Sequence, residues 1–134
     1  MITQLAHICI HTEDLGESER FYLDALGLKK GFEFEKDGER FGFYIKLGGR
    51  TCIEIFTGEP GPAGNINHMA LETNDIDQVI TSLRASGFDI TDKTMGADHT
   101  WQAWTEDPNG VRIEFHQYTE KSMQFEGGVC QVDW

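Results

Sequence analysis

The sequence predicts an α+β fold of two tandem βαβββ modules, whose mixed sheets can curve around a metal cavity. The first observation behind this prediction is an internal repeat, because HICIHTEDLGESERFYLDALGL aligns with HMALETNDIDQVITSLRASGF. The second is the shared order of signals in the two copies: an alternating run, a helical stretch, then strands separated by turns. The third is that each copy ends on a similar strand, TCIEIF in one and VRIEF in the other.

Each module opens with a short strand followed by a capped helix. An acidic residue three positions before a Glu or Gln is the capping-box pattern that marks a helix start. A glycine at the end of the helical stretch is the usual C-terminal cap. These signals are Asp14 with Glu17 before Gly27 in the first copy, and Asp75 with Gln78 before Gly87 in the second.

Turn signals separate the remaining strands. They are Asp37-Gly38 and Gly48-Gly49 in the first copy, and Asp107-Pro108-Asn109-Gly110 in the second. The segment TGEPGPAG between the copies is rich in Gly and Pro, as linkers are. We therefore expect a single domain over residues 1–134. Its parts are a first module of about 1–57, a linker of 58–64, a second module of about 65–119 and a tail of 120–134.

Composition narrows the class of function. The formal charge is 11 − 23 = −12, which repels a phosphate backbone, so we expect no nucleic-acid partner. No apolar run approaches the ~20 residues of a membrane helix, and the N-terminus lacks the features of a secretion signal. Three widely spaced cysteines without a CxxC pair argue against a disulfide framework and a cysteine zinc site. A cytoplasmic protein with a small-molecule substrate and no membrane partner is expected.

The repeat also carries a candidate metal site. Glu54 lies 54 − 7 = 47 residues after His7, and Glu114 lies 114 − 68 = 46 after His68. One histidine or glutamate on a strand is usually structural or solvated, but four at matching positions share one spacing rule. If the modules pack with pseudo-twofold symmetry, the four side chains can converge. Two imidazoles and two carboxylates suit Ni, Zn, Co, Mn or Fe.

Other side chains share the strand faces of these ligands. We expect a substrate-binding role for His11, Phe56, Arg112 and His116. His11 and His116 have no histidine counterpart in the other copy, where Glu72 and Phe56 stand instead. Arg112 is the only cation on the four ligand-bearing strand faces. Of Trp101 and Trp104, at most one can face the cavity, since they lie on opposite faces of a strand.

These motifs resemble the vicinal oxygen chelate superfamily, which includes glyoxalase I, extradiol dioxygenases and fosfomycin and bleomycin resistance proteins. The resemblance covers residues 1–119. The ligand set His, Glu, His, Glu is most similar to the glyoxalase I branch, and it implies a nickel, cobalt or zinc ion and a homodimer. Where glyoxalase I has an arginine, this chain has His11, and the loop that glyoxalase I uses against glutathione is replaced by GADHT. We therefore expect weak lactoylglutathione lyase activity.

The chemistry expected of such a site is proton transfer beside a chelated carbonyl. Glu114 is the first candidate for the base and Glu54 the second, which makes the chain a metal-dependent lyase or isomerase. A binding or resistance protein on the same scaffold is an alternative. An iron-dependent ring-cleaving dioxygenase is another, and a fourth ligand at Glu54 argues against it.

Overall fold

The computed structural model describes residues 5, 7–49, 51–62, 64, 66, 68–126 and 130. The chain divides into two compact units. The first comprises Met1–Ala63 with Asp107–Gly110, and the second comprises Gly64–Glu106 with Val111–Trp134. Residue 63 of the predicted linker and residues 127–129 and 131–134 of the predicted tail lie outside the described residues.

The first unit is a four-stranded sheet with one helical connection. Strands β2 and β3 form a hairpin, β4 is antiparallel to β3, and β1 is parallel to β4, which gives the order β1-β4-β3-β2. Helix α1 continues as a π-helical segment. The elements are β1 His7–Thr12, α1 Leu15–Glu19, the π-helical segment Arg20–Ala25, β2 Lys29–Lys36, β3 Glu39–Gly48 and β4 Thr51–Thr57.

Local chemistry explains these boundaries. The backbone N–H of Glu17 donates to Asp14 Oδ1 at 3.0 Å, so the predicted N-terminal cap is confirmed. Gly27, just past the helical segment, has φ +66°, a conformation that favours glycine. In the β2–β3 hairpin both Asp37 and Gly38 have positive φ, as a two-residue type I′ turn requires.

The core of the first unit lies on one face of the sheet. Phe43 and Ile45 on β3, and Ile53 and Ile55 on β4, are fully buried, together with Phe21 and Tyr22 of the π-helical segment. Alternation then places Glu54 and Tyr44 on the opposite face. One face of the sheet therefore packs into the core, and the other face presents side chains such as Glu54 that can bind a ligand.

A buried hydrogen bond joins the turn Asp107–Gly110 to the rest of the first unit. Tyr22 donates to Asp107 Oδ2 at 2.8 Å, and burial, followed by the Asp107 charge, raises the pKa of Tyr22 well above its usual value. Asn109 donates to Ser18 Oγ at 3.1 Å. These contacts span 85 and 91 residues.

The position of Gly42 on β3 leads to a testable prediction about packing on the sheet face opposite the core, which carries Glu54 and is called the site face below. A Cβ there would overlap the Ile55 carbonyl oxygen and lie 2.7 Å from Phe56 Cδ1. Gly42→Ala should therefore destabilise the protein by about 1–3 kcal/mol, the usual cost of overpacking. Gly48→Ala is the matched control, since a Cβ at Gly48 meets nothing within 4 Å. Equal unfolding free energies for the two variants in urea would contradict the prediction.

The second unit repeats the architecture. Its strand order is β5-β8-β7-β6, with β5 parallel to β8 and the other neighbours antiparallel. Asp75 accepts from the Gln78 N–H at 3.0 Å, and Gly87 has φ +81°, so the second helix also begins and ends as predicted. The elements are β5 Met69–Glu72, α2 Ile76–Ala85, β6 Thr94–Met95, β7 Trp101–Glu106, β8 Arg112–Gln117 and α3 Met123–Glu126.

The core of this unit is again on the helix side. Helix α2 buries Ile76, Ile80 and Leu83, and the sheet buries residues such as Ile113 and Phe115. The predicted α+β class, with two four-stranded mixed sheets of βαβββ order, is confirmed. Helix α3, in the predicted tail, was not expected. Among the described residues, no helix combines the length and apolar character that a bilayer crossing requires.

Candidate functional site

The first predicted pair, His7 and Glu54, lies on the non-core face of the first unit. Strands β1 and β4 are parallel neighbours, and Cys9 is the register partner of Glu54, which brings His7 beside the carboxylate. His7 Nε2 lies 3.4 Å from Glu54 Oε2. The two side chains are 44% and 18% exposed, so the pair is open to a ligand at its histidine end.

The second predicted pair, His68 and Glu114, has the same geometry in the second unit. His68 directly precedes β5, and Ala70 on that strand is the register partner of Glu114 on β8. His68 Nε2 lies 3.4 Å from Glu114 Oε2. The Glu114 side chain is only 8% exposed, and its other oxygen contacts His116. Each unit thus holds one histidine beside one glutamate, and the convergence of all four on one ion stays a prediction.

An aromatic residue that the sequence analysis did not assign stands beside each pair. Tyr44 is the register partner of Glu54, and Trp104 is that of Glu114. The Tyr44 ring lies 6.2 Å from His7, and the Trp104 ring lies 4.8 Å from His68, both edge-on. The offset is the same, since 104 − 44 = 60 and 114 − 54 = 60. This shared offset is the signal that could have identified Tyr44.

Tyr44 also interacts with His7 through its hydroxyl group, which lies 3.4 Å from His7 Nδ1. Desolvation, followed by the nearby Cys52 and Glu54, raises the pKa of Tyr44. Desolvation and Glu54 likewise raise the pKa of the Cys9 thiol. Both groups are therefore held in their neutral forms beside the Glu54 carboxylate.

The site face of the first unit is lined by aromatic rings. Phe32 stacks on Tyr44 with 4.7 Å between centroids, and Phe34 contacts Phe56 at the same distance. Phe41, at a bulge in β3, lies 5.3 Å from Phe56. Phe32 remains 51% exposed. A ligand at His7 and Glu54 would therefore have an apolar, aromatic wall on one side.

The remaining predicted substrate residues lie on the ligand-bearing faces. The His11 ring lies against Gly58, where a Cβ would be 3.3 Å from His11 Nδ1. The Arg112 guanidinium stacks on Trp104 at 4.4 Å. Of the two tryptophans on β7, Trp104 lies beside His68, and Trp101 contacts Lys93.

The first unit carries two cations on the same sheet face as Glu54, outside the strands that hold the predicted ligands. Lys46 on β3 is the register partner of both Cys52 and Lys29, which places the two lysines on the site face of the first unit. Both also line a cavity of about 460 Å³ at the end of this sheet. The ligand strands alone therefore understated the positive charge of the site face.

The donor set can be compared with what a divalent metal needs. Two ligands at right angles, each ~2.1 Å from an ion, are roughly 3.0 Å apart, close to the 3.4 Å in each pair. Imidazole nitrogen and carboxylate oxygen suit Ni, Co and Zn. Each pair thus fits two adjacent coordination positions. Within the part of the chain that the structure describes, no group of three or more His, Cys, Asp or Glu side chains is arranged to hold a metal.

Comparison with known proteins gives a family match. The model for the Glyoxalase/Bleomycin resistance protein/Dioxygenase superfamily matches residues 4–115. This range includes both histidine–glutamate pairs.

Three individual proteins that resemble this chain are 29% identical to it or less. A probable lactoylglutathione lyase from Synechocystis sp. is 29% identical over 127 residues, 87% of this chain and 97% of the relative. A lactoylglutathione lyase from Haemophilus influenzae is also 29% identical, over 84% of this chain and 90% of the relative. Among solved structures, the antibiotic binding protein TnmS3 from Streptomyces sp. CB03234 superposes with a TM-score of 0.72 at 19% identity. That match covers 88% of this chain and 98% of TnmS3, and it shows a shared fold.

Proposed function

Since the chain belongs to the Glyoxalase/Bleomycin resistance protein/Dioxygenase superfamily, we propose that it is a metal-dependent lyase or isomerase of the glyoxalase I type. The reaction is a proton transfer on a small molecule, at a carbon next to a carbonyl group. The names of the two lactoylglutathione lyase relatives agree with this class.

The observation that carries the proposal is the duplicated histidine–glutamate pair. His7 with Glu54 and His68 with Glu114 have the same 3.4 Å separation and the same kind of aromatic neighbour. Two glutamates that were merely solvated on the surface would have no reason to share this histidine contact and aromatic neighbour. We propose that the four side chains bind one divalent ion, with nickel, cobalt or zinc preferred and manganese or iron possible by ligand type.

The chain's own residues have separate roles in this scheme. When bound, the ion supplies a Lewis acid that polarises the substrate carbonyl and stabilises negative charge on its oxygen. Glu114 would take the proton from the carbon next to the carbonyl group and return it to the former carbonyl carbon, while the hydroxyl proton passes from one oxygen to the other, so atoms and charge balance. Its burial shields this transfer from water. Glu54, more exposed, is the second candidate for the base.

The substrate side of the proposal involves His11, Phe56 and Arg112, and not His116, whose Nδ1 lies 3.2 Å from Glu114 Oε1. Phe56 belongs to the aromatic wall, and His11 and Arg112 are exposed and polar. His11 binds a substrate carboxylate more weakly than an arginine would, because arginine donates two hydrogen bonds and is always charged. The chain should therefore act poorly on glutathione adducts.

The experiment that tests the function is metal analysis followed by an assay. Purified protein should contain stoichiometric divalent metal. It should convert hemithioacetals formed from methylglyoxal and a thiol, with a smaller thiol preferred over glutathione. Metal-free protein, or metal-loaded protein inactive with every thiol, would contradict the proposal. Efficient turnover of the glutathione adduct would contradict only the substrate preference.

Assembly is a further prediction of the same scheme. The non-core face of each sheet carries a histidine–glutamate pair, that of the first unit also exposes Phe32, and an exposed apolar face gains from a facing partner. We propose a homodimer. Light scattering at micromolar concentration should give twice the chain mass, and a monomer that still binds metal and turns over substrate would contradict this assembly.

A binding protein without catalysis is the second candidate. The superfamily's name includes a bleomycin resistance protein, and the aromatic wall of the first unit suits an apolar ligand, so these two observations favour it. Absence of stoichiometric metal would support this candidate. A dioxygenase would instead consume oxygen with a catechol, and the fourth ligand Glu54 argues against it.

A further inference from the structure

The Glu114 carboxylate is in contact with two imidazole rings. His68 Nε2 lies 3.4 Å from Oε2, and His116 Nδ1 lies 3.2 Å from Oε1. The side chains of His116 and Glu114 are 13% and 8% exposed. The contact with His116 is therefore shielded from solvent, where a hydrogen bond to a carboxylate is strong.

The surroundings of Nε2, the second ring nitrogen of His116, indicate which of the two nitrogens carries the proton. His116 Nε2 is buried, and the described residues give it no hydrogen-bond partner. A neutral imidazole carries its proton on one nitrogen only. With the proton on Nε2, a buried N–H would have no acceptor and the Nδ1 lone pair would face a carboxylate oxygen. With the proton on Nδ1, the ring donates to Glu114 Oε1, which is the more stable arrangement.

Packing holds the ring in this orientation. Tyr118 contacts His116 edge-on with 4.9 Å between centroids, and Phe125 of α3 contacts Tyr118 at the same distance. Gln102 on β7 is the register partner of His116. The ring is thus packed against the segment that follows β8.

The first unit lacks this arrangement. Phe56 pairs with Gly42 as His116 pairs with Gln102, so Phe56 stands at the position of His116. Among the described side chains, the one hydrogen-bonding or ion-pair partner of Glu54 is His7. The two glutamates therefore differ in how firmly they are held, although the repeat places them at equivalent positions.

We propose that His116 is a positioning residue for Glu114. Its Nδ1–H donates to Glu114 Oε1 and directs Oε2 toward His68, as supporting residues around metal sites commonly do. It acts on the reaction only through Glu114, and this consequence rests on the proposed function. The buried ring is better suited to this role than to contact with a substrate.

The test has two parts, the first independent of any metal. In the full-length, metal-free protein, ¹⁵N NMR of the His116 ring should show the Nδ1–H tautomer. An Nε2–H tautomer would overturn the proposal. If the wild-type protein proves to bind no metal, the proposed function fails while this result still decides the hydrogen bond.

The second part compares two substitutions by their cobalt(II) affinity. An asparagine side chain can place its N–H near the position of Nδ1, whereas leucine cannot donate. His116→Leu should weaken cobalt(II) binding about 10–100-fold, and His116→Asn should stay within a few-fold of wild type. His99→Asn, an exposed loop substitution, is the control. Equal affinities for the asparagine and leucine variants, whether both retained or both lost, would overturn the proposal.

Discussion

Glu114→Gln is expected to lower kcat by about 10²–10⁴-fold, the usual contribution of a positioned general base. Glutamine has nearly the same shape and can still accept from His116, but it cannot take up a proton at neutral pH. The loss should appear in kcat at saturating metal, because substrate binding does not depend on this proton transfer.

The matched control is Glu106→Gln, on the exposed end of β7. It removes the same charge from the same unit and should leave kcat within about twofold of wild type, as surface changes usually do. Assays of both variants at equal metal occupancy separate catalysis from loss of metal. A Glu114→Gln protein with wild-type kcat would exclude Glu114 as the base and transfer the role to Glu54.

Glu54→Ala and His68→Ala are each expected to weaken metal binding by more than about 100-fold. Removing a residue that only supports a ligand lowers metal affinity about 10–100-fold. Removing a ligand itself should lower the affinity further. The two residues belong to different units, and a shared ion predicts that both losses are large. His99→Ala is the control for removing an imidazole elsewhere. Full metal occupancy in both variants at a metal concentration equal to that of the protein would contradict the four-ligand scheme.

The two histidine–glutamate pairs can be recognised in the sequence because the chain contains two copies of one pattern. His7 and His68 stand at the start of equivalent strands, and Glu54 and Glu114 lie on the strands that pair with them in parallel. Strand alternation alone fixes the face of such residues. Cys9 and Ala70 are the register partners of the two glutamates, so each histidine, two positions earlier, reaches its carboxylate along a diagonal of the sheet.

The two lysines on this face could not be predicted in the same way. Lys29 lies on β2, whose register against β3 shifts between Lys30 and Phe32, and Lys46 lies next to the shift between Lys46 and Gly48. A bulge adds one residue to one strand, so the alternation pattern no longer tells which face follows it. The bond between Tyr22 and Asp107 joins residues 85 apart, which local patterns do not reveal.

His116 illustrates a limit of repeat reasoning. The sequence placed it on the Glu114 face and for that reason suggested contact with substrate, although it had no counterpart histidine in the other copy. Its burial, and the direction of Nδ1 toward Glu114, depend on Tyr118 and on the segment after β8. That segment lies beyond the repeat, so its packing could not be inferred from the other copy.

The most direct test of the central claim is the number of divalent ions bound per chain, measured by titration of metal-free protein. If the two pairs bind one shared ion, wild type should bind one ion per chain, and His7→Ala and His68→Ala should each abolish tight binding. Two ions per chain, with one lost in each variant, would show independent sites. That result would contradict the claim that the two histidine–glutamate pairs form a single metal centre.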